Sequence, residues 1–241
     1  MYRMLPECVK AAWIRHRQRD LTIRTWDEFA TEAAAAGSVA VVGNAGYLAD
    51  LAQGDMIDRH AIVIRLNNFQ TIGHERRVGS RCGIFFTNFF TDIRYDRPEL
   101  AHVEHVVASV PNAFAKQRRL YLHHRHAEHI ATGLGQLARR EVCVPSTADF
   151  TAACATCRAV PSTGLMALWF VLHHLTFERL FVTGFSFFRG SPHYFRGERS
   201  SGHLHDFARE RQLVAAWLTP LLDRGVATCD PVLANDLRAA A

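Results

Sequence analysis

The apolar residues of this chain fall into short runs separated by turn formers, and the runs are of two kinds. Some are compact and do not alternate, which marks strands buried on both faces. These are residues 38–42 (SVAVV), 61–66 (AIVIRL), 82–86 (CGIFF), 105–110 (HVVASV) and 180–183 (LFVT). Gly43, Asn67-Asn68, Thr87-Asn88, Pro111 and Gly184 stop them. Other runs carry apolar residues at helical spacing. Residues 1–36 read as helix, with Trp13, Ile14, Leu21, Ile23, Trp26, Phe29 and Ala30 recurring at mixed helical intervals before Gly37. Residues 165–175 read as a buried helix. Residues 206–222 read as a final amphipathic helix, with Phe207, Leu213, Val214, Trp217 and Leu218 on one side. Residues 115–139 are polar and rich in His and Arg, and read as helix and loop.

Apolar strands alternating with helices predict an α/β fold, a mostly parallel sheet with helices on both faces. No repeat, low-complexity tract or linker interrupts the chain. The expected organisation is an N-terminal helical extension, 1–36, and a single domain, 37–241. A chain of 241 residues and 27.1 kDa buries roughly 70–75% of its unfolded surface, enough for a sizeable core. With 49% hydrophobic and 21% charged residues, intrinsic disorder is excluded. No run approaches the ~20 apolar residues of a membrane span, and the N-terminus has no signal-peptide core. The expectation is an uncleaved cytoplasmic chain. Six cysteines, at 8, 82, 143, 154, 157 and 229, are too sparse for a secreted disulfide framework. The net charge of +5 is nearly all arginine and is spread along the chain. That pattern does not indicate nucleic acid. It suits a small anionic substrate, or peripheral association with an anionic inner membrane.

In parallel sheets ligands sit beyond the carboxyl ends of the strands. Here those ends are Gly43-Asn44-Ala45-Gly46, Asn67-Asn68, Thr87-Asn88 and Gly184-Phe185-Ser186. Gly43 lets a ligand approach the backbone, and the amides can hydrogen-bond it. The same residues are also ordinary loop formers, and spacing alone does not separate the two readings.

Two longer blocks are more specific. They are VAVVGNAGYLADLAQGDMIDRHAIVIRLNNFQTIGHERRVGSR, residues 39–81, and PSTGLMALWFVLHHLTFERLFVTGF, residues 161–185. They resemble the large and small sialyl motifs of glycosyltransferase family 29, the eukaryotic-type sialyltransferases. His193-Tyr194-Phe195 is similar to the family's third motif, and His205-Asp-Phe-Ala-Arg-Glu210 to its very small motif, H-x-x-x-x-E. The four occur in the family's order. The resemblance implies a Rossmann-like GT-A variant fold, a CMP-activated donor, usually CMP-sialic acid, and inversion without a metal or other cofactor. It implies that Asn44 and Asn67 contact the donor, that Ser162, Thr163 and Gly164 cradle the nucleotide, that His193 lies against the phosphate, and that His205 is the general base. The implied partners are a CMP-sugar donor and a glycan or glycolipid acceptor.

The chemistry of the residues agrees. A glycosidic bond to phosphate already has a good leaving group, whereas a sugar hydroxyl is a weak nucleophile. An imidazole, ordinarily titrating near ~6.5, is matched to take its proton. A second histidine can donate to the departing phosphate oxygen. Pro161-Ser-Thr-Gly164 followed by an apolar helix offers hydroxyls and N–H groups where an anion is favoured. The chain contains no Asp-x-Asp, the acidic pair that holds a metal in many GT-A enzymes.

The chain also departs from the family's animal members. Their cysteine bridge between the large and small motifs has neither partner here, since Val39 opens the first block and no cysteine lies between Ser162 and Phe185. Both partners missing together fits a reducing compartment, and points to a bacterial-type member acting on a surface glycan. Distant members with another CMP-activated keto acid make a Kdo transferase the alternative within the class. A non-catalytic nucleotide- or glycan-binding module is the alternative outside it. An NAD-dependent enzyme is disfavoured because Gly43-Asn-Ala-Gly46 lacks the G-x-G-x-x-G spacing.

Other residues carry bland readings. His203 lacks the glutamate spacing of His205. Glu210 is expected to cap or orient. Arg65 and Arg81 read as partly exposed ion pairs. His123-His124-Arg-His126-Ala-Glu-His129 reads as a solvated helix without a zinc ligand set. Cys154-x-x-Cys157 is a lone pair.

Overall fold

The computed structural model describes residues 22–32, 36–89, 93–111, 133–137, 141–189, 193–194 and 205–240. Its strands are β1 (Thr22–Thr25), β2 (Ala36–Val42), β3 (Ile62–Leu66), β4 (Ile84–Thr87), β5 (His105–Ala108), β6 (Glu141–Val144), β7 (Phe177–Thr183) and β8 (Ala227–Cys229). They form one sheet in the order β1-β6-β5-β4-β3-β2-β7-β8. Every pairing is parallel, for example Val41 opposite Ile64 on β3 and Val182 on β7. The expected α/β architecture is therefore what the chain adopts.

The helices are α1 (Trp26–Glu32), α2 (Gly54–Asp58), α3 (Glu75–Val78), α4 (Thr147–Cys157), α5 (Thr163–His174), α6 (Phe207–Asp223) and α7 (Pro231–Arg238). Successive strand residues point to opposite faces, and the core divides accordingly. On one face Val39, Val41, Ile64, Phe86 and Val182 pack under α1, α4, α5, α6 and α7. On the other, Ala40, Val42 and Val63 are covered by the short α2 and α3 with their flanking turns. Phe85, Val106 and Val142 are covered there by a second cluster around Phe69, Phe89 and Tyr95. α5 is apolar from Leu165 to Leu172 and buries Leu165–Leu168, Phe170 and Val171, with His173 and His174 in its last turn.

Several elements differ from the expectation, β6 (Glu141–Val144) among them. Thr22–Thr25, read as helix, form β1 at the sheet edge, where Arg24 meets Glu141 of β6 at 3.2 Å. The β-branched Thr-Ile-Arg-Thr run suits an edge strand, and helix begins only at the fully buried Trp26. The rest of that expected helix, residues 1–21, lies outside the described residues. α4 has little amphipathic pattern, yet Ser146 and Asp149 close a capping box at its start. α6 is not the last element: β8 and α7 follow, with Asp230 as N-cap and Pro231 in the first turn. No described helix is long and apolar enough to cross a membrane.

Candidate active site

The strand order reverses at β2. From there the chain runs through β3 to β6 on one side, and to β7 and β8 on the other. Such a switch point opens a crevice at the carboxyl ends of the strands. Its floor is a backbone crossing. Gly43 N donates to Thr183 O at 2.8 Å and Ala45 N to Gly184 O at 3.0 Å. A Cβ on Gly43 would lie 2.1 Å from Gly184 O, and Gly184 itself sits at φ +79°. Below it, the Tyr47 hydroxyl accepts from the Gly184 and Phe185 N–H groups at 3.1 Å and donates to Asp230 Oδ2 at 2.8 Å. Asp230 Oδ2 also accepts from Thr183 Oγ1 at 2.9 Å, while its Oδ1 caps α7 through Leu233 N. Burial and the neighbouring Asp230 carboxylate push the Tyr47 phenol well above its ordinary value. Tyr47 and Asp230 were not singled out from the sequence. The Asp-Pro start of α7 was the available signal, but nothing in it pointed back to the crevice.

Asn44 and Asn67 line the crevice in different ways. Asn44 Nδ2 donates to Leu66 O at 3.0 Å, which fixes the side chain. Its buried Oδ1 has no hydrogen-bond partner among the described residues, and a ligand donor would satisfy it. Asn67, at φ +45°, bridges the frame. Its Nδ2 donates to Thr163 Oγ1 at 3.1 Å and its Oδ1 accepts from Asn88 N at 3.2 Å. The buried Arg97 supports the same turn, donating to Asn67 O at 2.9 Å and to Phe69 O. Thr163 accepts from Asn67, so its hydroxyl proton is available to a ligand. Tyr194 N donates to Asn44 O at 3.0 Å, and its hydroxyl exchanges hydrogen bonds with Gln70. That anchor seats His193 beside Asn44. Phe195 and His203 lie outside the described residues, as does the histidine cluster 123–129.

At the start of α5, Ser162 is an N-cap whose Oγ accepts from Leu165 N at 3.2 Å. Its N–H and hydroxyl both donate to Glu210, at 2.7 and 2.6 Å. The hydroxyl has a single proton, so Ser162 stabilises the helix start and leaves ligand donation to Thr163 and the free backbone N–H groups. Gly164 meets the Phe185 ring, which a Cβ there would approach at 3.0 Å. Glu210 lies in the first turn of α6 and is only 2% exposed. Burial pushes its carboxyl up to about 7, against the opposing hydrogen bonds from Ser162. Being raised above the unfolded value near ~4.3, it binds its proton more tightly when folded. Its contribution to stability is full below that value and is lost as pH rises towards 7. The loss is on the order of 3 kcal/mol. Glu210→Gln should therefore gain melting temperature relative to wild type between pH 5 and pH 8. A difference between the two proteins that stays flat with pH would refute the raised carboxyl.

His205 stands just before the N-cap of α6. Its Nδ1 lies 2.7 Å from Val160 O. A carbonyl only accepts, so Nδ1 carries a proton, and in the neutral ring Nε2 is then the nitrogen with the lone pair. The half-buried ring leans on Phe207 at a centroid distance of 5.4 Å. Val160 is two residues before Ser162, so the imidazole is anchored at the head of α5.

The structure thus brings together Gly43, Asn44, Asn67, Ser162, Thr163 and Gly164 at the strand ends, ties the backbone after His193 to Asn44 O, and holds His205 at Val160, just before the start of α5. Of the two arginines expected to be partly exposed, Arg81 is exposed and Arg65 is not. Arg65 is wholly buried and donates to Arg81 O and Val78 O at 2.6 Å, and Arg81 donates to Asp58 O and His60 O. Cys154 and Cys157 lie in α4, and burial pushes Cys157 up to about 11, out of thiolate range at neutral pH.

Comparison with known proteins bears on this geometry. The model of "Glycosyltransferase family 29 (sialyltransferase)" matches residues 20–133, just under half of the chain. A β-1,6-galactosyltransferase, GALT29A of Arabidopsis thaliana, is 55% identical over 51 residues, 21% of this chain and 13% of its own. Sialyltransferase-like protein 1 of Oryza sativa subsp. indica is 38% identical over 77 residues, 32% of this chain and 16% of its own. An α-2,3-sialyltransferase of Mus musculus, CMP-N-acetylneuraminate-β-galactosamide-α-2,3-sialyltransferase 1, is 52% identical over 42 residues, 17% of this chain and 12% of its own. The chain thus spans well under a fifth of the length of these curated relatives. A crystal structure of a mammalian sialyltransferase in complex with Gal-β-1-3GalNAc-ortho-nitrophenol superposes with a TM-score of 0.50 at 20% identity. It covers 94% of this chain and 86% of its own. In sequence over residues 20–133, and in fold over nearly its whole length, the chain is similar to the sialyltransferases of glycosyltransferase family 29.

Proposed function

We propose that this protein is a family 29 glycosyltransferase that moves sialic acid from CMP-sialic acid to a hydroxyl of a glycan or glycolipid, with His205 as general base. The observation that carries the reading is His205 itself: its Nδ1–H is tied to Val160 O at 2.7 Å, leaving Nε2 as a base at the head of the helix that carries Ser162, Thr163 and Gly164. The acceptor oxygen attacks the anomeric carbon while its proton passes to His205 Nε2. The carbon–oxygen bond to the phosphate breaks, and CMP leaves with the bonding pair. One displacement inverts the anomeric centre. Thr163 Oγ1, the N–H groups at the start of α5 and His193 take up the phosphate charge. The unsatisfied Oδ1 of Asn44 accepts from the nucleoside. No metal is assigned a role, in keeping with the absence of Asp-x-Asp from the chain.

The test is a ligand screen followed by a donor assay. CMP, but not UMP, GDP or NAD, should raise the melting temperature without added metal. At about a hundredfold excess over Kd the gain is ~2.7 kcal/mol, or roughly 5–10 °C for a chain of this size. CMP-sialic acid and CMP-Kdo are then offered in parallel with pooled glycan acceptors. Turnover of CMP-Kdo alone would replace the sugar in this reading. Binding of CMP with no turnover of either donor would replace the enzyme with a binding module.

A further inference from the structure

Around the turn that carries Asn67, the protein buries two positive charges without pairing either to an acid. Arg65 on β3 is 0% exposed and Arg97 is 6% exposed. A guanidinium stays charged in a protein, and a charge withdrawn from water is costly unless it is paired. Among the described residues neither arginine has a carboxylate within ion-pair distance. Asp58 and Glu99 act on them only from further away. Their partners are backbone carbonyls. Arg65 donates to Arg81 O and Val78 O, and its buried Nη1 has no hydrogen-bond partner among the described residues. Arg97 donates to Arg94 O at 2.7 Å, to Asn67 O at 2.9 Å and to Phe69 O. The two guanidinium carbons lie 5.7 and 4.9 Å from the centroid of the Phe69 ring, so the charges share one neighbourhood and their potentials add. That potential reaches Tyr194, whose N–H bonds Asn44 O: burial pushes its phenol up to about 12, and both cations oppose the rise. Arg97 is also separated from the Thr163 hydroxyl by a single residue. It holds Asn67 O, and Asn67 Nδ2 donates to Thr163 Oγ1.

We propose that Arg97 is a positioning residue for the phosphate of the ligand, and that with Arg65 it supplies positive charge whose counter-ion is that phosphate. The inference rests on the nucleotide-donor reading and goes beyond it by naming the residues that make the crevice select an anion over a neutral nucleoside. In the free protein the carbonyls of the turn offset the two charges only in part. A phosphate at Thr163 Oγ1 and the N–H groups that start α5 completes the balance. Arg97 does not touch the phosphate. It acts through Asn67, by fixing the turn, and through its charge, which burial shields from solvent screening.

The experiment compares CMP with cytidine by calorimetry, since only the first carries the phosphate. Wild type should prefer CMP. Arg97→Gln should cut the ratio of the two affinities about tenfold, the scale of one charge acting through a protein interior. Arg97→Lys keeps the charge without the forked donors, and should hold the ratio near wild type even where both affinities fall. Arg76→Gln, which removes an exposed cation from α3, should leave the ratio unchanged. Melting temperatures confirm that each variant folds. If Arg97→Gln weakens CMP and cytidine alike, Arg97 only shapes the turn and the assignment falls. It falls equally if Arg76→Gln lowers the ratio as far, which makes the effect one of net charge, or if wild type binds CMP and cytidine equally, a result that needs no variant. Inorganic pyrophosphate repeats the comparison without a nucleoside. A wild type that CMP does not stabilise therefore removes the donor reading, while pyrophosphate binding that Arg97→Gln weakens and Arg97→Lys retains still supports the charge. Pyrophosphate affinity indifferent to Arg97→Gln overturns it.

Discussion

Replacing His205 by alanine is expected to lower kcat for transfer by about 10²–10⁴-fold, the range of a positioned general base. CMP-induced stabilisation should stay within experimental error of wild type. The two readouts separate because the imidazole and the nucleotide contacts belong to different elements. Asn44 and Asn67 follow β2 and β3, and Thr163 begins α5, while His205 precedes α6 and bonds Val160 O just before α5. Losing that hydrogen bond leaves the Ser162–Glu210 joint, which holds the two helices together at 2.6 and 2.7 Å. His205→Gln is the companion variant. It can donate to Val160 O but offers no basic nitrogen, so a loss of turnover equal to that of alanine assigns the defect to proton transfer rather than to geometry. Transfer at the wild-type rate in His205→Ala would remove the base. Lost CMP binding in both variants would make His205 a structural residue of the nucleotide site.

Gly43→Ala is expected to destabilise the fold by about 3 kcal/mol or more, enough to leave much of the chain unfolded at 37 °C. The added Cβ would stand 2.1 Å from Gly184 O and 2.8 Å from Gly184 C, and both are backbone atoms. Neither loop can retreat freely. Gly184 N is held by Tyr47 and Asp230, and Gly43 N by Thr183 O. Gly37→Ala is the internal control in the same strand, since a Cβ there meets nothing within 4 Å. Its effect should stay within about 1 kcal/mol. Chemical denaturation of the three proteins checks both figures. A Gly43→Ala protein as stable as Gly37→Ala would mean that the β2 and β7 loops do not cross as described.

The parallel sheet was legible because its central strands are buried on both faces. Val39–Val42 is an unbroken apolar run and Ile62–Leu66 is interrupted only by Arg65, a pattern that suits a covered strand. The edges were not legible for the same reason. β1 and β8 are short, and β1 is half polar, so neither differs in pattern from loop or fraying helix. Residues 22–25 become strand because β6 offers them a hydrogen-bonding edge, a partner more than a hundred residues away in sequence. α4 escaped notice because the exposed side of its stripe of Phe150, Ala153 and Cys157 carries the apolar Ala148, Ala152 and Ala155, which blurs the amphipathic pattern.

The site divides along a similar line. The residue types at the strand ends could be named in advance, and Asn44, Asn67 and Thr163 do stand there. Their division of labour could not. Ser162 looked like a phosphate ligand, yet its proton is held by Glu210. Arg65 looked like a surface cation, yet it is sealed beneath the sheet and donates to carbonyls.

By itself the sequence determined the layer architecture, the position of the crevice and the chemical inventory around it. Those depend on short-range pattern: strands covered on both faces, helix starts with caps, and turn residues at strand ends. Which atoms are free to meet a ligand was decided only by the tertiary structure. A hydroxyl or carboxyl is reactive or silent according to the neighbour that takes its proton, and Glu210 reaches Ser162, like Asp230 reaching Tyr47, only once the chain has folded.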